Sequence, residues 1–243
     1  MNLVIDLGNT QAKIAVFADG EMVAQYQRKT LTTEWLQTVF NKYLIQRSML
    51  CSVVAHAPDL VEFLTEKTDF LLLSHNTPIP IKNAYATPET LGKDRLAAVC
   101  GAFSLFSDRN CLVIDAGTCI KYDFLRAGKT YIGGSISLGI TMRFRALHEF
   151  TAKLPLVPRQ RLDGFFGYNT TTAIVTGVLT AVALEAKGFL DLYNNEYGDV
   201  QLILTGGDAA DLKTYLPQPI YTDKNLVLKG LNAILEYNKN HCA

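Results

Sequence analysis

The sequence predicts an α/β protein made of two related lobes around a shared cleft. Three observations predict it. LVIDLGNT (3–10) returns as LVIDAGT (112–118): an apolar run, Asp, a spacer, Gly and then Thr. The likeness continues downstream, where Lys13 and Lys121 stand equally far beyond the Thr and Gly20 and Gly128 close each second strand. Short apolar runs also alternate with stretches of helical spacing along the chain, without a low-complexity linker. The expected lobes are residues 1–107 and 108–243.

Residues 2–7, 12–18 and 21–27 read as strands, because apolar runs are broken by turn residues at Gly8-Asn9 and Asp19-Gly20; the latter is a strong hairpin signal. Residues 33–45 carry apolar side chains at 35, 36, 39, 40, 43 and 44, the spacing of a helix. MLCSVV (49–54) is a buried strand, Pro58 opens a helix to about Lys67, and FLLL (70–73) is a further strand. The segment 74–92 holds three prolines, and long ordered loops tend to carry function. RLAAVCGAFSLF (95–106) is a helix. The second half repeats the opening with strands near 111–116, 119–126 and 130–137 and a helix at 140–150. A loop rich in Pro and Arg leads to a long helix, 170–195. QLILTGGDAADLKTYL (201–216) is strand, Gly-Gly turn and helix, and 225–238 is a terminal helix.

The composition excludes several classes. Of 243 residues 49% are hydrophobic and 19% charged, which favours a folded core over disorder. Lys plus Arg and Asp plus Glu number 23 each, so no net charge marks a nucleic-acid or anionic-membrane partner. Five cysteines (51, 100, 111, 119, 242) form no CxxC pair and lie mostly in apolar runs, which fits reduced thiols in the cytoplasm. No signal peptide is expected, since Asp6 interrupts the first apolar run. The most apolar stretch, 173–190, contains Glu185 and Lys187 and is expected as a buried helix rather than a membrane span.

An apolar strand ending in Asp, followed by Gly and Asn or Thr, sets a carboxylate at a strand end beside backbone and hydroxyl donors. That combination suits a Mg²⁺-phosphate group, because the metal takes oxygen ligands and the phosphate takes donors. One copy alone would read as an ordinary Asp-Gly turn; two related copies do not. No GxxxxGK[ST] and no GxGxxG occurs, against P-loop and Rossmann nucleotide sites. TGGDA (205–209) offers adjacent glycines before a helix N-terminus, where a flat ligand can lie against the backbone. GKDR (92–95) opens a helix. There Asp94 is either a helix-start acid or a base beside an anion-binding Arg95.

The ordered set DLGNTQAK (6–13), YATPETLGKDR (85–95), DAGT (115–118), GGSISLGITMRFRAL (133–147), TAKLP (151–155), NTTTAIVTG (169–177) and TGGDA (205–209) resembles the type III pantothenate kinases across nearly the whole chain. The resemblance implies two actin-like ATPase lobes, duplicated ribonuclease-H-like units around a central cleft. It implies ATP-dependent phosphorylation of pantothenate to 4'-phosphopantothenate, the first step of coenzyme A biosynthesis. Asp6, Leu7, Gly8, Asn9, Thr10, Gln11, Ala12 and Lys13 then resemble the ATP phosphate loop, with Asp6 close to Mg²⁺, and Thr118 an ATP contact. Asp94 resembles the general base. Tyr85, Gly92, Lys93, Asp94, Arg95 and Thr170 resemble pantothenate-binding positions, and Asp115 the ligand of a monovalent cation, K⁺ or NH₄⁺. The resemblance also implies a cytoplasmic homodimer whose second subunit completes the substrate pocket. Where the family usually has Pro-Gly this chain has Leu138-Gly139, so a slightly different turn is expected there.

Rival readings are a non-catalytic nucleotide-binding regulator on the same scaffold, against which Asp6 and Asp94 stand, and an acetate or sugar kinase relative, whose substrate segments have no counterpart here. The cluster Arg143, Arg145, Lys153, Arg159 and Arg161, interleaved with Glu149 and Asp163, is expected as a solvated surface or interface rather than a nucleic-acid site. His56, His75, His148 and His241 lack ligand spacing. Met142, Phe144 and Leu147, with the stripe Ile174, Val175, Val178, Leu179, Val182 and Ala186, are expected to meet the partner subunit as well as their own lobe.

Overall fold

The computed structural model describes residues 1–53, 58–160 and 164–239. In chain order its elements begin with β1 (Asn2–Leu7), β2 (Ala12–Ala18), β3 (Glu21–Arg28), α1 (Thr33–Lys42), β4 (Arg47–Ser52), α2 (Pro58–Lys67), β5 (Asp69–Leu72), β6 (Lys82–Asn83) and α3 (Lys93–Leu105). They continue with β7 (Asn110–Ala116), β8 (Cys119–Arg126), β9 (Thr130–Leu138), α4 (Ile140–Glu149), α5 (Thr170–Tyr197), β10 (Val200–Thr205), α6 (Ala209–Lys213), β11 (Tyr221–Thr222) and α7 (Leu226–Asn238). The chain forms two compact units. The first is Met1–Asp108 with Gly128–Tyr131 and the segment from Asn225 onward; the second is Arg109–Ala127 with Ile132–Lys224.

In the first unit a five-stranded sheet runs β3-β2-β1-β4-β5. β1 is antiparallel to β2 and parallel to β4. All six β1 residues are buried, as a central strand covered on both faces requires. Asp19 (φ 51°) and Gly20 (φ 84°) are both left-handed at the β2–β3 turn, the geometry that Asp-Gly permits. Leu36 and Val39 of α1 and Leu60 and Leu64 of α2 pack with Leu3, Ile5, Ile14, Val16 and Leu50. Thr32 caps α1 by accepting from the Trp35 N–H at 3.3 Å. This helix ends at Lys42, short of the expected 45. Tyr43 turns extended (φ −129°, ψ 135°) so that Ile45 enters the core and the Gln46 N–H reaches the Met1 carbonyl, which begins the β4 pairing.

The terminal helix corrects the expected division at 107/108. α7 belongs to the first unit, packed along α3. A Cβ on Gly230 would lie 1.7 Å from the Ala97 carbonyl oxygen, and one on Gly101 would lie 2.4 Å from that of Leu226. Only glycine at both positions lets the two backbones approach this closely. Asn2 donates to the Asn232 amide oxygen at 2.8 Å, and the Arg47 guanidinium donates to the Leu235 carbonyl at 2.9 Å.

The second unit repeats the plan. β7 is antiparallel to β8 and parallel to β10, which is parallel to β11. Asp115 stands opposite Lys121, as Asp6 stands opposite Lys13 in the first unit. The two Asp strands are therefore equivalent in register as well as in sequence. Among the described residues α5 alone is long and apolar enough to cross a membrane. Its Ile174, Val175, Val178, Val182 and Ala186 nonetheless pack into the core with Leu112, Ile114, Tyr122 and Phe124. Asn169 and Thr172 form a capping box at its start.

Candidate active site

The first unit presents the expected phosphate loop as a tight turn. Asp6, 7% exposed, is the penultimate residue of the buried strand β1. The Gly8 N–H donates to the Gln11 carbonyl at 3.2 Å, and Leu7 pairs with Ala12 across the ladder. This closure leaves Asn9 and Thr10 exposed at the tip, with Lys13 partly covered beside the carboxylate strand. Hydroxyl, amide and backbone donors are thus concentrated where an anion can reach them.

The Pro-rich segment holds a second cluster in the same unit. Ala84 donates its N–H to Tyr131 at 2.9 Å and Asn83 accepts from the Tyr85 N–H at 3.0 Å, so the Tyr85 ring lies parallel to Tyr131 with centroids 6.2 Å apart. Arg95 is 5% exposed, with its guanidinium carbon 5.6 Å from the Tyr85 ring centre. A weakly hydrated guanidinium over an aromatic face is a favourable way to bury that charge. Asp94 lies in the first turn of α3, where the helix dipole favours a carboxylate, and its Oδ1 accepts from the Arg95 N–H at 2.9 Å. A Cβ on Gly92 would come within 2.8 Å of that oxygen, so glycine makes room for the acid. The structure brings Tyr85, Gly92, Asp94 and Arg95 together; Lys93 is partly exposed in the same turn. Tyr131 carries no signal of its place here in the sequence, because nothing about a strand aromatic marks a long-range stack.

In the second unit three loops meet at the repeat of the Asp motif. Gly206 (φ +92°) approaches so closely that a Cβ there would lie 2.3 Å from the Ala116 carbonyl oxygen and 2.6 Å from Asp115 Oδ1. The Asp208 N–H donates to the Ala116 carbonyl at 2.9 Å. From another side, a Cβ on Gly139 would meet the Thr118 carbonyl oxygen at 2.2 Å. TGGDA, DAGT and the Leu138-Gly139 turn are therefore one assembly, with Thr118 exposed. The Asp115 carboxylate accepts from Lys121 Nζ at 2.7 Å.

The described arginines of the basic cluster, Arg143, Arg145 and Arg159, each form ion pairs. Arg159 bridges Asp208 and Asp211, and Arg145 pairs with Glu149. Arg161, Asp163, His56, His241 and Cys242 lie outside the described residues. Cys51, Cys100, Cys111 and Cys119 are thiols outside any disulfide, and burial pushes the Cys100 thiol up. Arg143 Nε donates to the Leu138 carbonyl at 2.8 Å, so the turn without proline is held by a side chain.

The same Arg143 donates to Glu185, which also accepts from Tyr122 and Ser137. Burial raises the Glu185 carboxyl, but these three donors outweigh it and hold the group below its ordinary value. Sequence could not show this cluster, because its members lie on four separate elements. A lowered native value means that stability is present above the ordinary Glu value and lost as pH falls through the native one. Glu185→Gln is expected to lower stability near pH 7 by about 1–2 kcal/mol. The gap in thermal midpoint should close below about pH 4; an equal gap at pH 7 and in acid would refute the assignment.

Thr170 is exposed at the start of α5 on an apolar groove of about 830 Å³, whose lining includes Leu138, Leu147, Phe150, Leu154 and Ile174. Phe150 is 85% exposed. Of the stripe expected to meet a partner as well as its own lobe, Phe144, Val175, Val182 and Ala186 are buried within the second unit, whereas Leu147, Ile174 and Val178 line this groove. Leu138, Phe150, Leu184 and Leu192 are among the apolar side chains left exposed in this unit.

The family model for type III pantothenate kinases matches residues 2–191. The type III pantothenate kinases of Phocaeicola vulgatus and Christiangramia forsetii are 42% and 41% identical to this chain, over 98% of it and 99% of each relative. Among solved structures, a conserved Campylobacter jejuni protein assigned to the Baf family of transcriptional activators superposes with a TM-score of 0.64 at 23% identity, covering 98% of this chain and 99% of that one. The activator of the 2-hydroxyisocaproyl-CoA dehydratase from Clostridium difficile, with bound ADPNP, gives 0.55 at 12% identity, over 99% of this chain and 94% of that one. At such identities the likeness bears on the fold alone, which is that of the actin-like ATPases.

Proposed function

The chain belongs to the type III pantothenate kinase family, and on that premise we propose that it transfers the γ-phosphoryl group of ATP to the primary hydroxyl of pantothenate. The product is 4'-phosphopantothenate, in the first step of coenzyme A biosynthesis. The observation that carries the reading is the cluster of Asp94, Arg95 and Tyr85 at the start of α3, a carboxylate beside a buried guanidinium and an aromatic wall.

Arg95 binds the pantothenate carboxylate, with Tyr85, Gly92 and Lys93 shaping the pocket. Asp94 takes the hydroxyl proton as the bond to phosphorus forms. The Gly8–Thr10 donors and Lys13 offset charge on the transferring group, and Thr118 contacts ATP. Phosphoryl transfer needs positioning and charge stabilisation more than covalent help. Asp6 supplies the hard oxygen that Mg²⁺ prefers, and the exposed tip at Asn9 and Thr10 leaves room for its waters, so the donor set fits that ion. When bound, Mg²⁺ supplies charge neutralisation at the phosphates.

The working form is a cytoplasmic homodimer, without nucleic-acid or membrane partners, in which the groove at Leu138, Phe150 and Thr170 receives a second copy. Its support is that apolar lining and the exposed Phe150. Purified chain with saturating ATP and Mg²⁺ is expected to release ADP only when pantothenate is added, and to scatter light as a species of twice the chain mass. No pantothenate-dependent ADP release, with or without K⁺, would remove the reading.

A further inference from the structure

Asp115 and Lys121 face one another across β7 and β8, with Nζ 2.7 Å from Oδ2. Strand register fixes this meeting, and both side chains are largely covered, at 17% exposed for Lys121 and 16% for Asp115. On the other carboxylate oxygen the Gly206 backbone is close enough that a Cβ there would stand at 2.6 Å. Asp208, which hydrogen-bonds to the same loop, is already paired with Arg159. A monovalent cation at Asp115 would have to displace an ammonium at hydrogen-bond distance or sit beside its like charge in a half-buried setting. The residues present do not fit a free K⁺ or NH₄⁺ ion there.

We propose that Lys121 is the resident cation of this site: a tethered ammonium that neutralises Asp115 and holds the Asp115–Thr118 loop against Gly206, so that the nucleotide site works without a dissociable monovalent ion. The proposal rests on the reading that this loop serves ATP, and it replaces the expectation of a K⁺ or NH₄⁺ ligand at Asp115.

The test measures ATP affinity by calorimetry, and ADP release with pantothenate, in KCl, NaCl and tetramethylammonium chloride at equal ionic strength. The native chain should keep both within about twofold across the three salts, since screening is held constant. Lys121→Met, which keeps the apolar stem and removes the charge, should lose about tenfold or more in ATP affinity in tetramethylammonium chloride. Lys121→Ala, which also opens space at the carboxylate, should recover affinity in KCl or NH₄Cl. A native chain whose affinity falls tenfold without K⁺ overturns the proposal, as does a Lys121→Met chain that binds ATP as tightly as the native one. The native comparison needs no variant and decides the matter even if both variants fail to fold. Absence of pantothenate-dependent turnover in every salt would instead count against the assigned reaction, while ATP affinity still reports on Lys121.

Discussion

Asp94→Asn lowers kcat about 10²- to 10⁴-fold, the usual cost of losing a general base, and leaves ATP affinity and thermal midpoint near native. The substitution isolates the proton-accepting role because the asparagine carbonyl can still accept the Arg95 N–H that Asp94 Oδ1 now accepts at 2.9 Å. It also fits the space left by Gly92, whose missing Cβ would otherwise come within 2.8 Å of that oxygen. The Arg95 N–H contact at the helix start is therefore kept. What disappears is the negative charge at the first turn of α3. Steady-state kinetics with pantothenate varied at saturating ATP, beside a nucleotide titration, separates the two effects. A variant with near-native kcat would make Asp94 a helix-start acid and nothing more.

Gly206→Ala is expected to damage ATP binding and stability together. Gly206 has φ +92°, which costs a residue with a side chain about 1–3 kcal/mol. The added Cβ would also lie 2.3 Å from the Ala116 carbonyl oxygen and 2.6 Å from Asp115 Oδ1, and backbone cannot yield as a flexible side chain would. Overpacking of this kind adds about 1–3 kcal/mol. Relief requires the 206–208 turn to lift away from Asp115–Thr118, which breaks the Asp208 N–H bond to Ala116. The thermal midpoint should fall by roughly 5–15 °C, and ATP affinity by about tenfold or more. Gly207→Ala is the internal control, because a Cβ there meets nothing within 4 Å. If the two variants behave alike, close approach at Gly206 is not what shapes the loop.

The hairpins were legible in the sequence almost to the residue. β1 and β2 lie where apolar runs and turn residues put them, and the Asp19-Gly20 turn adopts the left-handed pair that its chemistry favours. The repeated Asp motifs were legible as equivalent strands for the same reason. Helix α1 was overextended because apolar spacing continues through Tyr43 and Leu44, while the start of β4 pairing ends the helix at Lys42. The stripe on α5 was recognisable as apolar, but amphipathic spacing does not say which surface covers it; the second unit's own core does.

The sequence by itself determined the α/β class, the duplicated strand plan and the family, since these depend on local periodicity, turn chemistry and ordered motifs. The tertiary structure decided what those motifs touch. It assigned α7 to the first unit through the close glycine contacts with α3. It set Gly206 and Gly139 against the Asp115–Thr118 loop and gathered Arg143, Tyr122, Ser137 and Glu185 from four elements. It also paired Lys121 with Asp115, where sequence alone showed two residues on successive strands. Each of these depends on register or on backbones meeting across long sequence separations, and distance in space between such residues exists only once the chain has packed.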